Sequence, residues 1–587
     1  MSAQPSTGAD HGRPYAAVSV FLVVGSFLTW RSTLGFDLRD SAYVTAIAQR
    51  MARGETPFVD ELNPHSFGSL PAVPSLWLWH HIVGTSGVVL LGRLTFVVLV
   101  GLASVVAWRA LSPHAGRTIS AVAIATAVLA LPYNQLVVSY NTTPQLALMV
   151  ASCAGVAAVA RGSRGWAAAC GTSAMVASIG YFAVLPAAMV LIGSTLVGRA
   201  LWVHGRPERA WVFSLLGSGL LVGLVFLGWL TLVPGWGAVR DSLALLDSGA
   251  GDRGIGVEPF YWHFVAGARL LPLALLVATM SVAIRWPRGV REVLLGGAVA
   301  LLALWGGEWG PPGQEPTAGK YAGAVALALL VVLAPAMTIW LGRRRDRLLL
   351  LVVLIALPAA VVGFIATSAV TLSGAAYGAY AVPLSGMIVL IVLVLNAVVT
   401  DGGAPRWTQP IVFLPAVAMV ASLLSVVFNE GPVVTTTTRL AEGPGAGLSV
   451  GVDSGSDYAA VARLVAACTD PGGGLWAPGV PGAYLWVDRS AGVPQYWLSP
   501  HEFTSGLRVL GAVGTDPACV LAPSDTSPGG QGEPLARWLD DGYERRTSER
   551  LRTVGEDGTR YALFEKLPDE EALRSAAAQQ QLTPGSS

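Results

Sequence analysis

The sequence predicts an all-α polytopic membrane domain of about thirteen transmembrane helices followed by a small α/β domain. Three observations predict it. Of the 587 residues, 53% are hydrophobic and only 12% are charged, with a mean hydropathy of +0.57, far more apolar than a water-soluble chain of this size. The apolar residues fall in blocks of roughly 18 to 25 that are almost free of charge, the length a helix needs to cross a hydrocarbon core of about 30 Å. From about Asn429 onward the blocks stop and charge returns. The formal net charge of +1 leaves no electrostatic footprint for nucleic acid, because most Arg residues sit in short clusters between apolar blocks.

The blocks begin near Tyr15, Val88, Thr118, Thr143, Gly165, Ala183, Arg209, His263, Arg291, Lys320, Arg347, Tyr377 and Gln409. Lys and Arg concentrate in cytoplasmic connections. Alternate connections carry Arg109 and Arg117, then Arg161 and Arg164, then Arg199, Arg206 and Arg209, then Arg285, Arg288 and Arg291, then Arg343, Arg344, Arg345 and Arg347, and finally Arg406. The intervening ones are nearly uncharged, as over 132–144, or of mixed sign, as over 236–262. An odd number of spans then gives a multi-pass plasma-membrane protein with its N-terminus in the cytoplasm and its C-terminal domain outside. The first block is followed by Trp30, Arg31 and Phe36 rather than a small-residue cleavage site, and reads as an uncleaved anchor. The predicted organisation is a disordered cytoplasmic N-terminus over 1–14 and a transmembrane domain over 15–428 with an outer loop at 35–85. An extracytoplasmic α/β domain over 429–568 and a disordered tail over 569–587 follow.

In the C-terminal part the pattern predicts helices over 458–468 and 533–540 and strands over 474–477, 519–522 and 561–566. Cys153 and Cys170 fall in spans, whereas Cys468 and Cys519 fall in the outside domain. An oxidising compartment favours a disulfide between the latter two, the alternative being two buried thiols.

Chemistry is sought where polar groups gather at the membrane surface. The first outer loop carries Asp37, Asp40, Asp60 and Glu61 in a stretch too polar to span. Between them residues 41–53 place Tyr43, Ile47, Met51 and several Ala on one stripe at helical period, which predicts a helix lying along the interface. Asp40 stands just before that helix and has two readings: an N-cap, or a general base at the mouth of a membrane cavity. His80 and His81 beside Trp77 and Trp79 read as an interfacial belt, and no P-loop, GxSxG or HExxH motif stands in a supporting context.

The run Asp40-Ser41-Ala42-Tyr43, then Ala48-Gln49-Arg50-Met51, then Gly54-Glu55-Thr56-Pro57-Phe58-Val59-Asp60, a Pro-bearing stretch and Gly92-Arg93 resembles the first outer loop of the GT-C superfamily. These are polytopic glycosyltransferases that use polyprenyl-phosphate sugars, among them the aminoarabinose transferases and protein O-mannosyltransferases. Tyr377-Gly378-Ala379-Tyr380-Ala381-Val382-Pro383 is similar to the family's late Tyr and Pro pattern, and Leu485-Trp486-Val487-Asp488-Arg489 to a strand and turn in the soluble domain of bacterial members.

The resemblance implies an inverting transfer from a polyprenyl-phosphate sugar to the hydroxyl of a cell-envelope glycan, lipid or protein. Asp40 would be the base and Asp37 its substitute. Tyr43, Asp60, Glu61, Asn141 and Tyr380 would line the substrate site, with Arg39 and Lys320 as candidate phosphate ligands and Arg240 and Arg253 as further outer cations. Many members carry a carboxylate in the second outer loop, where Tyr140, Asn141 and Thr142 stand here, so a divalent metal is left open. Two other functions remain in view, a transporter or flippase of a lipid or solute and an inactive scaffold. Few mid-span charges and no clear internal repeat weigh against transport.

Overall fold

The computed structural model describes residues 14–61, 64–132, 135–250, 347–370, 381–401, 413–425, 433–468, 474–477, 479–486, 517–524, 533–553 and 559–567. The blocks predicted near His263, Arg291 and Lys320 lie outside them.

The membrane part is a bundle of apolar helices. In order they are α1 (Pro14–Arg31), α2 (Asp40–Ala52), α3 (Val73–Ile82), α4 (Val88–Ala115), α5 (Arg117–Leu129), α6 (Thr142–Arg161), α7 (Arg164–Gly180), α8 (Leu185–Val203), α9 (Arg209–Leu232), α10 (Gly235–Ala250), α11 (Arg347–Val370), α12 (Ala381–Asp401) and α13 (Leu414–Ser425). Among the described residues, five helices are long and apolar enough to cross a membrane: Val88–Ala115, Thr142–Arg161, Phe182–Val203, Arg209–Leu232 and Leu350–Thr367. Their breaks follow local chemistry. Gly116 and Gly162, at φ +85° and +64°, end α4 and α6 in a conformation that costs glycine little, and Ser163 Oγ then accepts the Trp166 amide to start α7.

Small residues let the helices approach closely where lipid offers no hydrophobic drive for association. A Cβ on Gly171 would lie 1.9 Å from the Leu215 carbonyl oxygen, so α7 and α9 meet backbone to backbone. Gly363 makes room for the Pro383 ring between α11 and α12, and Gly386 for the Ser152 side chain between α12 and α6. Helix α6 is central and mostly buried, while α9 turns Leu220, Leu221, Leu224 and Val225 outward.

The connections fall at two ends of the bundle. At one, which we call the arginine end, Arg161 donates to His114 Nε2 at 3.2 Å, Arg199 donates to the Val159 carbonyl at 3.1 Å, and Arg164 pairs with Glu208. Among the described residues, the first three predicted Arg-bearing connections therefore meet one another. At the other, the loop end, the segments 32–87, 130–141, 180–185 and α10 interlock. The C-terminal domain packs there too.

That domain contains β1 (Thr438–Arg439) antiparallel to β2 (Ser449–Val450), the helix α14 (Val452–Ala466), and a sheet of order β3-β4-β6-β5 flanked by α15 (Glu533–Gly542). Strand β3 (Leu475–Trp476) runs parallel to β4 (Cys519–Pro523); β6 (Arg560–Lys566) is antiparallel to β4 and to β5 (Tyr543–Arg550). Cys468 and Cys519 are joined by a disulfide, with their Cα atoms 6.1 Å apart, while Cys153 and Cys170 are buried thiols. Strand β5 was not expected, because Glu544, Arg545, Arg546, Glu549 and Arg550 give no apolar alternation; it is a solvent-facing strand held by its ladder to β6.

Candidate active site

Two buried arginines, Arg31 at the end of α1 and Arg93 in α4, hold the start of the first outer loop (loop 1, residues 32–87). Arg31 donates to the Leu34 carbonyl at 3.0 Å and to the Leu423 carbonyl at 2.9 Å, and Arg93 reaches the same Leu34 oxygen at 2.9 Å and that of Ser32 at 3.1 Å. Carbonyl oxygens aimed at a guanidinium fix the chain where it leaves α1.

The expected cap of α2 is not Asp40. Asp40 is the first helical residue, and the carboxylate of Asp37 does the capping: Oδ1 accepts the Arg39 amide at 2.9 Å and Oδ2 the Ser41 amide at 3.0 Å. An Asp three residues ahead of the helix can fold back onto the first orphan amides, whereas a residue already inside the helix cannot cap it. Asp37 is thereby buried and committed to structure. Nor does α2 lie at the interface with one face to water. Ser41 through Arg50 are all buried, because the C-terminal domain covers the face that the sequence left polar.

Asp40 is half-buried and near enough to Tyr140, in the second outer loop (loop 2, residues 130–141), for its charge to act on that phenol. Burial, then the Asp40 carboxylate, then Tyr181 hold the Tyr140 phenol above its ordinary range, opposed by a hydrogen bond from Asn141, so Tyr140 is a neutral hydroxyl. The Tyr140 and Tyr181 rings are 5.7 Å apart, and Asn141 is buried with its Oδ1 lacking a hydrogen-bond partner. Loop 1 is locked onto this group: Thr143 Oγ1 donates to the Gly68 carbonyl at 2.7 Å, and a Cβ on Gly68 would stand 2.2 Å from the Tyr140 backbone. Only glycine permits that approach. Asp40 with Tyr140, Asn141 and Tyr181 thus forms one polar group between α2 and the start of α6.

The other predicted residues go elsewhere. Tyr43 is buried within α2. Arg39 lies near Tyr561 of β6, whose phenol burial pushes up to about 12 while the guanidinium opposes the shift. Asp60 accepts the Thr56 amide at 2.7 Å and closes a turn. In that turn Phe58 has φ +68°, held by its amide on the Glu61 carbonyl, by Ser242 Oγ on its own carbonyl at 2.7 Å and by the Phe67 ring. Glu61 is buried near Tyr484, and Arg240 is exposed beside Asp241. Lys320, Tyr380 and Arg253 lie outside the described residues. Among the described residues no three His, Cys, Asp or Glu side chains gather as metal ligands.

Sequence reasoning missed Tyr181, which has no polar neighbours in sequence to mark it, and Arg50. The Arg50 guanidinium is buried, pairs with Glu55 and sits 6.0 Å over the Tyr484 ring.

No family model matches the chain, and no curated protein matches its sequence. Among solved structures it is similar to ArnT from Cupriavidus metallidurans in the apo state, with 17% identity, a TM-score of 0.40 and coverage of 94% of this chain and 98% of that one. It is similar as well to ArnT from Cupriavidus metallidurans bound to undecaprenyl phosphate, with 17% identity, a TM-score of 0.39 and coverage of 96% and 99%. The structural neighbours of the chain are thus ArnT, over nearly the whole length of both chains.

Proposed function

We propose that this protein is an inverting membrane glycosyltransferase that moves a sugar from a polyprenyl-phosphate donor to an extracytoplasmic hydroxyl, with Asp40 as the general base. The observation that carries the reading is the division of labour at α2. Asp37 caps the helix, and Asp40, in the motif that resembles the GT-C loop, is placed against Tyr140 where loops 1 and 2 lock together.

Asp40 takes the proton of the acceptor hydroxyl as its oxygen bonds to the anomeric carbon. The bond from that carbon to the phosphate oxygen breaks, and polyprenyl phosphate leaves with the electron pair. Tyr140, neutral and held by Asn141, can donate to a sugar or acceptor oxygen beside the carboxylate. The loop end faces the extracytoplasmic side in this reading, since the Arg-bearing connections gather at the opposite end. The membrane domain over 15–428 then holds the lipid donor, and the domain over 429–568 covers loop 1 from outside.

The test is Asp40→Asn in purified protein assayed with a panel of radiolabelled polyprenyl-phosphate sugars. Asn keeps the size and the helix position and loses the proton acceptor. We expect transfer to fall by about 100-fold or more with an unchanged melting profile. Undiminished transfer by the variant removes Asp40 as base, and lipid translocation without any bond change in wild-type vesicles moves the assignment to transport.

A further inference from the structure

We propose that the C-terminal domain positions Asp40, with Gly482 as the positioning residue; this rests on the reading of Asp40 as the base. The segment between α1 and α2 is built into that domain. The Gly35 amide donates to the Ser449 carbonyl at 2.7 Å and the Ser449 amide to the Thr33 carbonyl at 2.8 Å, so Leu34 forms a parallel β-bridge to Ser449 of β2. The Phe36 ring packs edge-on against Tyr458 at 5.5 Å and Trp486 at 6.5 Å.

One residue before Arg39, the Leu38 carbonyl accepts the Gly482 amide at 2.8 Å. A Cβ on Gly482 would lie 2.8 Å from Leu38 Cδ2, 2.9 Å from its carbonyl oxygen and 3.0 Å from its Cα. Two of those three atoms are backbone, so the chain rather than a side chain would have to yield. Two residues on, Tyr484 takes the Arg50 guanidinium over its ring near the far end of α2. The short 3-10 turn Pro481–Leu485 therefore touches α2 near both of its ends.

Contact at Leu38 reaches the carboxylate through few bonds. Leu38 is flanked by Asp37 and Arg39, and the Asp37 carboxylate holds the amides of Arg39 and Ser41 on either side of Asp40. Displacing Leu38 shifts the cap, and with it the first turn that carries Asp40. Misplacement of a catalytic group by about 1 Å costs on the order of 100-fold in rate.

The experiment uses the full-length protein and needs no knowledge of the sugar. Hydrogen–deuterium exchange is measured on wild type, Gly482→Ala and Tyr484→Phe, which removes only the hydroxyl that accepts the Ala477 amide at 2.9 Å. We expect exchange over residues 36–45 to rise about tenfold in Gly482→Ala and a few-fold in Tyr484→Phe, with α6 unchanged. Arg463→Ala, which removes an exposed pair with Glu549 on the same domain, should leave residues 36–45 as in wild type. In the transfer assay Gly482→Ala should lower kcat and leave KM for the donor lipid within about twofold.

Wild-type exchange over 36–45 in both loop variants overturns the proposal, and so does a rise spread evenly over the whole protein. If Gly482→Ala does not fold, Tyr484→Phe decides alone. Absence of transfer with every sugar would count against the glycosyltransferase reading, while the exchange result would still decide whether the domain sets the conformation of loop 1.

Discussion

The two ends of the bundle handle charge in opposite ways. At the arginine end Arg164 and Glu208 meet at 3.8 Å with both side chains 63% exposed, and the connections are a few residues long. At the loop end Arg31, Asp37, Arg50, Glu61 and Arg93 are all buried, with Arg31 and Arg93 tied to carbonyls, Asp37 to amides and Arg50 to Glu55. Exposed charges orient a chain in the membrane and add little to its tertiary energy. Buried charges carry a desolvation cost that only specific partners offset, so they mark where geometry is being fixed. Asp40 is the acidic residue at the start of α2 that capping does not use.

The largest effect that sharpens this contrast should come from comparing two carboxylates of the first outer loop, Asp40 and Asp60. Asp40→Asn should lose about 100-fold or more in transfer at unchanged stability. Equal losses from Asp40→Asn and from the neutral loop-end change Asp60→Asn would erase the distinction between a chemical and a turn-forming carboxylate.

Next in size is Arg50→Ala. Removing the buried partner strands Glu55 and uncovers the Tyr484 ring, and about 3 kcal/mol of stability should go, read by chemical or thermal denaturation in detergent. A loss under about 1 kcal/mol would mean that the pair behaves like the exposed ones at the other end. Smaller again is Asp37→Ala, which removes two amide acceptors at the start of α2 and should cost about 1 kcal/mol. The weakest is Arg164→Ala at the arginine end, expected within about 0.5 kcal/mol of wild type, since an exposed pair at that distance is screened. A loss there as large as at Arg50 would break the comparison.

Much of the fold was legible because it follows from local rules. The span starts read near Val88, Thr118, Thr143, Gly165 and Arg209 fall within one residue of α4, α5, α6, α7 and α9. Helix α15 and strands β3, β4 and β6 lie within two residues of where the pattern put them, whereas α14 begins at Val452 rather than at 458. Strand β5 escaped because its stability comes from a neighbour rather than from its own residues.

The site was legible in part. Asp40 was singled out by its motif, but its role as a cap was misread, because sequence spacing cannot say which of two nearby carboxylates folds back on the amides. Arg50 and the buried face of α2 were hidden for a related reason: a helix that looks amphipathic for the interface is covered by a domain more than 400 residues further on.

By itself the sequence determined most of the apolar helices the structure describes, the connections in which arginine gathers, the small C-terminal sheet region and a loop rich in carboxylates. These depend on transfer free energy and periodicity, which act residue by residue. Only the tertiary structure decided that Asp37 caps, that Gly68 brings loop 1 onto Tyr140, and that Ser449 and Gly482 grip the chain before Asp40. Those are contacts between segments far apart in sequence, fixed by close packing and by the need to satisfy every buried polar group, and neither constraint can be read from one segment alone.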